Sequence, residues 1–201
     1  MQPAHSHSPQ SPPRRRADAE RSIARILDAA VEALASDPET SMAEVARRAG
    51  VVRATIYAHF PTREALIDAV THRAIAETTE VIAAAQPEHG DAADALRRVV
   101  TSAWRALGRY HALVAINTRL PHAELRHRHE PVLAVLEPLI ERGQRDGAFR
   151  ANVPVTWHLA TILALIHAAS AELDAQRMPT EEIESALLAS VLGAVGEPDS
   201  H

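Results

Sequence analysis

The chain has 201 residues, enough for one or two domains with a sizeable core, and it is 46% hydrophobic but only 3% aromatic, so helix is favoured over sheet. It holds no cysteine, and all 21 of its basic residues are arginine, which excludes a disulfide framework, a thiolate metal site, a thiol nucleophile, Schiff-base chemistry and a P-loop lysine. The formal net charge of −5 is unevenly divided, with +1 on residues 14–73 and −6 on residues 74–201, so the acidity lies mostly away from the basic N-terminal third.

Residues 1–17 read as a disordered basic arm. Residues 1–13 are mainly Pro, Ser, His and Gln, and Arg14, Arg15 and Arg16 follow. Such a run can lie along phosphates or enter a minor groove, or it can be a solubilising tail. His5 and His7 fit a solvated tail better than a metal site. A helix is expected from Asp18 to Ser36, where Ile23, Ile26, Leu27, Ala30, Val31 and Leu34 form one apolar stripe.

Ser41 to Arg63 reads as two short helices around a tight turn. Ser41 is an N-cap residue, and Glu44 three positions later completes a capping box. Gly50 supplies the positive φ that ends the first helix, and Val51 drops into the core at the corner. The second helix runs from about Val52 to His59 and is stopped by Pro61. From Glu44 to Arg63 the charge is +3. Arg53, Thr55, Tyr57 and His59 can donate to phosphates or base edges, as the second helix of a helix-turn-helix does in a major groove. An ordinary helical corner with a solvated basic face has the same spacing.

The stretch from Thr40 to Val70, "TSMAEVARRAGVVRATIYAHFPTREALIDAV", resembles the N-terminal signature of the TetR/AcrR family of transcriptional repressors, most densely in "TIYAHF" and "TREAL". With the preceding helix, the resemblance covers about a quarter of the chain. It departs from the family at Val52, which opens the recognition helix where a small polar cap is common; that end is expected to lean on Thr55 or on water. The DNA-binding set is then Thr40, Ser41, Arg53, Ala54, Thr55, Tyr57, His59 and Arg63, with Arg14, Arg15 and Arg16 of the arm. The resemblance implies an all-α fold: a three-helix helix-turn-helix domain over residues 18–73, then a helical effector-binding and dimerisation domain over residues 74–201.

Thr62 caps the next helix, which continues to about Ala85 and joins the two domains; the resemblance implies that it carries the signal. Helices follow from Asp91 to about Arg109 and from Tyr110 to Arg119. Pro121 to His129 reads as a polar connection, and Pro131 opens another helix that ends at Asp146–Gly147. The helix begun by Pro154 carries two apolar stripes. Leu159, Ile162, Leu163, Ile166 and Leu173 form one; Trp157, Ala160, Thr161, Ala164 and Ala168 form the other. With the last helix, near residues 180–195, it is expected to form a two-fold homodimer through residues 154–175 and 180–195, unless both faces are buried within one chain. Residues 197–201 read as a tail.

Polar residues set among apolar ones in the second domain are Trp104, Arg105, His111, Asn117, Trp157, His158, Thr161 and His167. Trp104, His111, Asn117, Trp157, Thr161 and His167 are the expected contacts of an unknown small apolar effector. His122, His127 and His129 do not share one helix face and fit a polar loop better than a metal site, so no metal and no cofactor are expected. The N-terminus has no signal-peptide core, and the apolar run from Leu159 to Ala171 is short of the ~20 residues of a span. The expectation is a cytoplasmic, ligand-responsive, homodimeric repressor that binds a palindromic double-stranded operator, with no membrane partner. An effector-independent regulator or activator, and a helical-bundle enzyme, are the competing readings; no HExxH, GxGxxG or paired Glu-x-x-His motif supports the enzyme.

Overall fold

The computed structural model describes residues 12–117 and 121–197. Among these residues the chain is all-α, and its one β feature is an isolated bridge between Phe149 and Gly196. The N-terminal unit is α1 (Pro12–Ser36), α2 (Met42–Arg48) and α3 (Arg53–His59), followed by the long α4 (Arg63–Ala84). Residues 1–11 of the expected arm lie outside the described residues. Residues 12–17 depart from the disordered arm and continue α1 instead. Proline is accommodated in a first helical turn, and pairs such as Arg16–Glu20 at 3.1 Å brace the exposed start of the helix.

Ser41 caps α2 as expected, its hydroxyl accepting from the Glu44 amide at 3.2 Å. The reciprocal half of the capping box is absent. The Glu44 carboxylate turns outward and accepts from Arg47 at 2.6 and 2.8 Å and from Arg48 at 2.8 Å. Charged donors outbid the neutral backbone amide. Gly50 has φ of 65°, and the Val51 amide reaches back to the Ala46 carbonyl at 3.0 Å, closing the turn. Ile26, Ala30 and Leu34 of α1, Val45 of α2, Ile56 and Phe60 of the α3 region and Leu66 and Val70 of α4 form one buried core.

The second unit is α5 (Ala92–Ala106), a 3-10 turn (Leu107–Arg109), α6 (His111–Asn117), α7 (His122–Arg128), α8 (Glu130–Arg145), α9 (Val155–Asp174) and α10 (Thr180–Val195). Its core joins Ile75 and Ile82 of α4 to Leu96 and Val99 of α5, Leu136 and Ile140 of α8, Ile162 of α9 and Leu187 and Val191 of α10. The helix expected over 110–119 is described as far as Asn117; residues 118–120, like the tail from 198 on, lie outside the described residues. The expected polar connection at 121–129 is helical. It lacks an apolar stripe, so periodicity misses it. It is held instead by Arg128, which pairs with Glu124 at 2.9 Å and with Asp68 of α4 at 2.5 Å. Among the described residues no helix is long and apolar enough to cross a membrane.

Arginines close several turns by donating to backbone carbonyls. Arg98 takes those of Ala85, Gln86 and His89, Arg142 those of Pro87 and Gly90, and Arg150 those of Gly193 and Gly196. Just past α8, the Phe149 ring packs directly against Gly143, and a Cβ built on that glycine would overlap it. Phe149 is 1% exposed and has nowhere to go. Gly143→Ala should therefore cost about 1–3 kcal/mol through overpacking, read as a lower midpoint in chemical denaturation; an unchanged midpoint would show that the ring shifts freely.

Candidate functional site

The first candidate surface is α3. Ile56 and the following Phe60 anchor it to the core, and this fixes which side faces outward. Val52, Arg53, Ala54, Tyr57 and Ala58 are exposed, while Thr55 and His59 are half-buried at the edges. The Arg53 guanidinium sits over the Tyr57 ring at 5.8 Å, so the pair stands up from the helix as one unit. Val52 is the N-cap and makes no side-chain cap bond, so neither it nor Thr55 closes that end. Ser41 is exposed next to this surface with its hydroxyl engaged by the Glu44 amide; Thr40 is buried at 6% exposure and does not reach the surface.

Electrostatically, α2 is less basic than its sequence. Arg47 and Arg48 hold the Glu44 carboxyl far below the usual carboxylate range, at about 2, so it stays ionised and screens both of them. Arg63 is turned away from α3. Its Nε donates to the Thr40 carbonyl at 3.3 Å and its Nη2 to the Pro38 carbonyl, tying the start of α4 to the α1–α2 turn. Arg16 is exposed on α1, where Arg14 and Arg15 also lie in helical backbone. The donor groups of this face that are not already bonded are thus concentrated on Arg53, Tyr57 and His59, while Arg16 on α1 is paired with Glu20.

The second candidate is a mostly apolar, partly open cavity of about 60 Å³ between α4, α5, α6, α8 and α9. Asn117 and His167 of the expected effector set line it. Trp104, His111, Trp157 and Thr161 do not. Trp104 is packed in the core against the His111 ring, 4.7 Å between centroids; His111 bonds Ser170 at 3.3 Å; Trp157 is 67% exposed; the Thr161 hydroxyl is spent on the Trp157 carbonyl. Arg105 pairs with Glu184 at 3.3 Å, and His158 bonds the Arg150 carbonyl at 3.0 Å.

Sequence reasoning missed Thr71, Thr78 and Tyr110, and it read His129 as part of a loop; all four line the cavity. Thr71 and Thr78 recur at one-heptad spacing on one face of α4, the signal that could have found them. The Tyr110 hydroxyl donates to Glu77 at 2.7 Å and accepts from Arg109 at 2.7 Å. His129 and His167 meet edge to face at 5.3 Å. Burial disfavours the charged form of both rings: the His129 pKa is lowered, and that of His167 falls to about 4, first by desolvation and then by the neighbouring His129. His127 is exposed beside Glu130, and no group of three or more His, Asp or Glu among the described residues could hold a metal ion.

Residues 26–70 match the family model of bacterial regulatory proteins, tetR family. The chain is similar to the HTH-type transcriptional repressor LfrR of Mycolicibacterium smegmatis, at 29% identity over 88% of this chain and 91% of that protein. It is also similar to the HTH-type transcriptional regulator NfxB of Pseudomonas aeruginosa, at 25% identity over 71% of this chain and 78% of that one. The crystal structure of LfrR in complex with proflavine superposes with a TM-score of 0.68 at 28% identity, covering 86% of this chain and 94% of the other.

Arg63 stands in the matched segment, yet its guanidinium is committed to the fold. Arg63→Ala should lower stability in the absence of any nucleic acid by about 1–2 kcal/mol, the worth of charge-assisted bonds to two carbonyls. Thermal unfolding checks it. An unchanged melting temperature would return the side chain to the outer face.

Proposed function

We propose that the chain is a transcriptional regulator of the TetR family and a homodimeric repressor. In this reading it holds a palindromic operator in the cytoplasm and releases it when a small, largely apolar molecule fills the cavity. The observation that carries this reading is a shared wall. Ala74, Tyr110 and Leu113 line the cavity and also belong to the core of the helix-turn-helix unit. A molecule that widens the cavity therefore pushes on the core that sets the position of α3. The polar side of the wall points the same way: Tyr110 bonds Glu77 on α4, and Arg73 one turn earlier pairs with Asp28 of α1 at 2.9 Å. LfrR is named a repressor and has been solved with a bound small molecule, which supports both halves of the reading.

Arg53 is the base reader. Tyr57 and His59 hold phosphates at the edges of α3, with Ser41, Ala54 and Thr55 bordering the same groove and Arg14, Arg15 and Arg16 reaching flanking phosphates. Residues 18–73 then serve DNA and residues 74–201 the effector and the dimer. The dimer face is the outer side of α9 and α10. Trp157, Ala160, Ala164 and Ala168 on α9 are exposed, as are Ala186, Ala189 and Gly193 on α10, so the second stripe of α9 has no partner within the described chain. Small side chains there let two copies approach closely. The ligand must bind the released state better, since equal affinity for both states shifts nothing. A coupling of ~1–3 kcal/mol changes operator affinity ~5–150-fold. A constitutive regulator is the second reading, and the cavity argues against it, because a DNA clamp with no effector has no use for an unfilled core.

Selection from a random duplex library should enrich a palindrome with half-site centres about one turn, ~34–36 Å, apart. Arg53→Ala should cost ~1–3 kcal/mol and relax the preference at one position of each half-site, whereas Tyr57→Phe should weaken all sequences alike. Enrichment of no motif would overturn specific binding. Light scattering should give a dimer at micromolar concentration, and Ala189→Arg, on an exposed position of the single chain, should give a folded monomer with little operator affinity. A wild-type monomer would sink the two-fold arrangement.

A further inference from the structure

The chemistry of the cavity wall narrows the molecule it takes, an inference that rests on the effector reading above. No aspartate, glutamate or arginine lines the cavity. Most of its polar groups are already engaged: Asn117 donates to the Thr71 hydroxyl at 3.2 Å, Thr71 donates to the Ile67 carbonyl at 2.9 Å, and His129 Nδ1 sits 2.8 Å from the Leu125 carbonyl. Two atoms are not. Thr78 Oγ1 and His167 Nδ1 are buried with no partner among the described residues, on side chains 6% and 8% exposed. A buried polar atom left unpaired is costly, and a ligand that pairs it recovers that cost.

We propose that the effector is an uncharged, mainly apolar molecule carrying a hydroxyl or an equivalent donor–acceptor group, which bonds His167 Nδ1, Thr78 Oγ1 or both. A neutral imidazole offers one donor and one acceptor nitrogen, and a threonine hydroxyl does both, so a hydroxyl suits either tautomer. A buried ammonium would find no carboxylate here. A buried carboxylate would find no cation, since His167 stays neutral down to about 4. Leu163 and His167 separate this cavity from an outer groove of about 430 Å³ that Arg126, Ala160 and Ala164 also line; the groove borders the proposed dimer face and is not part of the site.

Three probes on one frame, with 2-methylnaphthalene as the apolar control, test the proposal: 2-naphthol, 2-naphthylmethylammonium and 2-naphthoate, titrated calorimetrically into the full-length protein at pH 7.5. The naphthol should bind at least tenfold tighter than either ion. Thr78→Val, which keeps the side-chain shape, and His167→Leu should each weaken naphthol severalfold while leaving 2-methylnaphthalene unchanged. Thr78→Val is the arm that survives if His167→Leu does not fold. If either ion binds tightest and releases operator DNA, the effector reading stands and this chemistry falls. If naphthol binds equally to the wild type and to the folded variants, the two orphaned atoms are not its partners and the proposal is wrong. If no probe binds, the cavity as a ligand site falls with it.

Discussion

Everything in this structure depends on one helix being packed into two cores at once. The N-terminal half of α4 gives Leu66, Val70 and Ala74 to the helix-turn-helix core, and its C-terminal half gives Ile75 and Ile82 to the second core. Twenty-two residues at 1.5 Å each make a rod of ~33 Å. A close-packed rod does not absorb strain locally, because protein interiors resist compression. The cavity lies where the two cores meet, on Thr71, Ala74, Ile75 and Thr78 of that rod. A change of volume there has to move one core against the other. Tyr110 adds a polar tie at the same level, packing into the first core while its hydroxyl is held by Glu77 and Arg109.

A chain without lysine uses arginine for more than charge. The guanidinium fork offers several fixed donors, and this chain aims them at carbonyls left over at helix ends. Arg63 ties α4 to the α1–α2 turn, and Arg98 and Arg142 close the passage from α4 to α5 from two sides. This changes how basic residues in the N-terminal third should be weighed. Arg47 and Arg48 are screened by Glu44, and Arg63 is spent on the backbone. The charge free to meet a phosphate is smaller than a count along the sequence, and it is more sharply placed, on Arg53.

Much of the fold was legible because it follows from local rules. The Ser41 cap, the Gly50 turn, the Thr62 cap and the stripe of α1 each depend on residues a few positions apart. What failed depended on distant partners. Glu44 left its capping box because Arg47 and Arg48 offered stronger bonds, and α7 formed because Arg128 reaches Asp68 on α4. The cavity was the least legible part. Periodicity shows which face of a helix is buried, not whether it is buried against side chains or against space. Trp104, the most conspicuous residue in its helix, was for that reason a poor guide: its size lets it fill the core. Thr71 and Thr78, polar residues one heptad apart on α4, line the void.

The cavity is small and mostly apolar, which bears on how a ligand could act. About 60 Å³ bounded mostly by Val, Ile, Leu and Ala offers water few partners. The polar atoms that could hold water, Thr78 Oγ1 and His167 Nδ1, are the ones left unpaired. Two costs stand to be removed, missing packing contacts along the wall and two unpaired polar atoms. A molecule that removes both gains most in the conformation that opens the cavity furthest. In the proposed ligand-bound state that conformation is also the one in which Tyr110 and Leu113 have moved relative to α4, and with them the core under α3. The preference of the ligand for one state then needs no contact with the DNA-binding surface, only a wall that the two cores share.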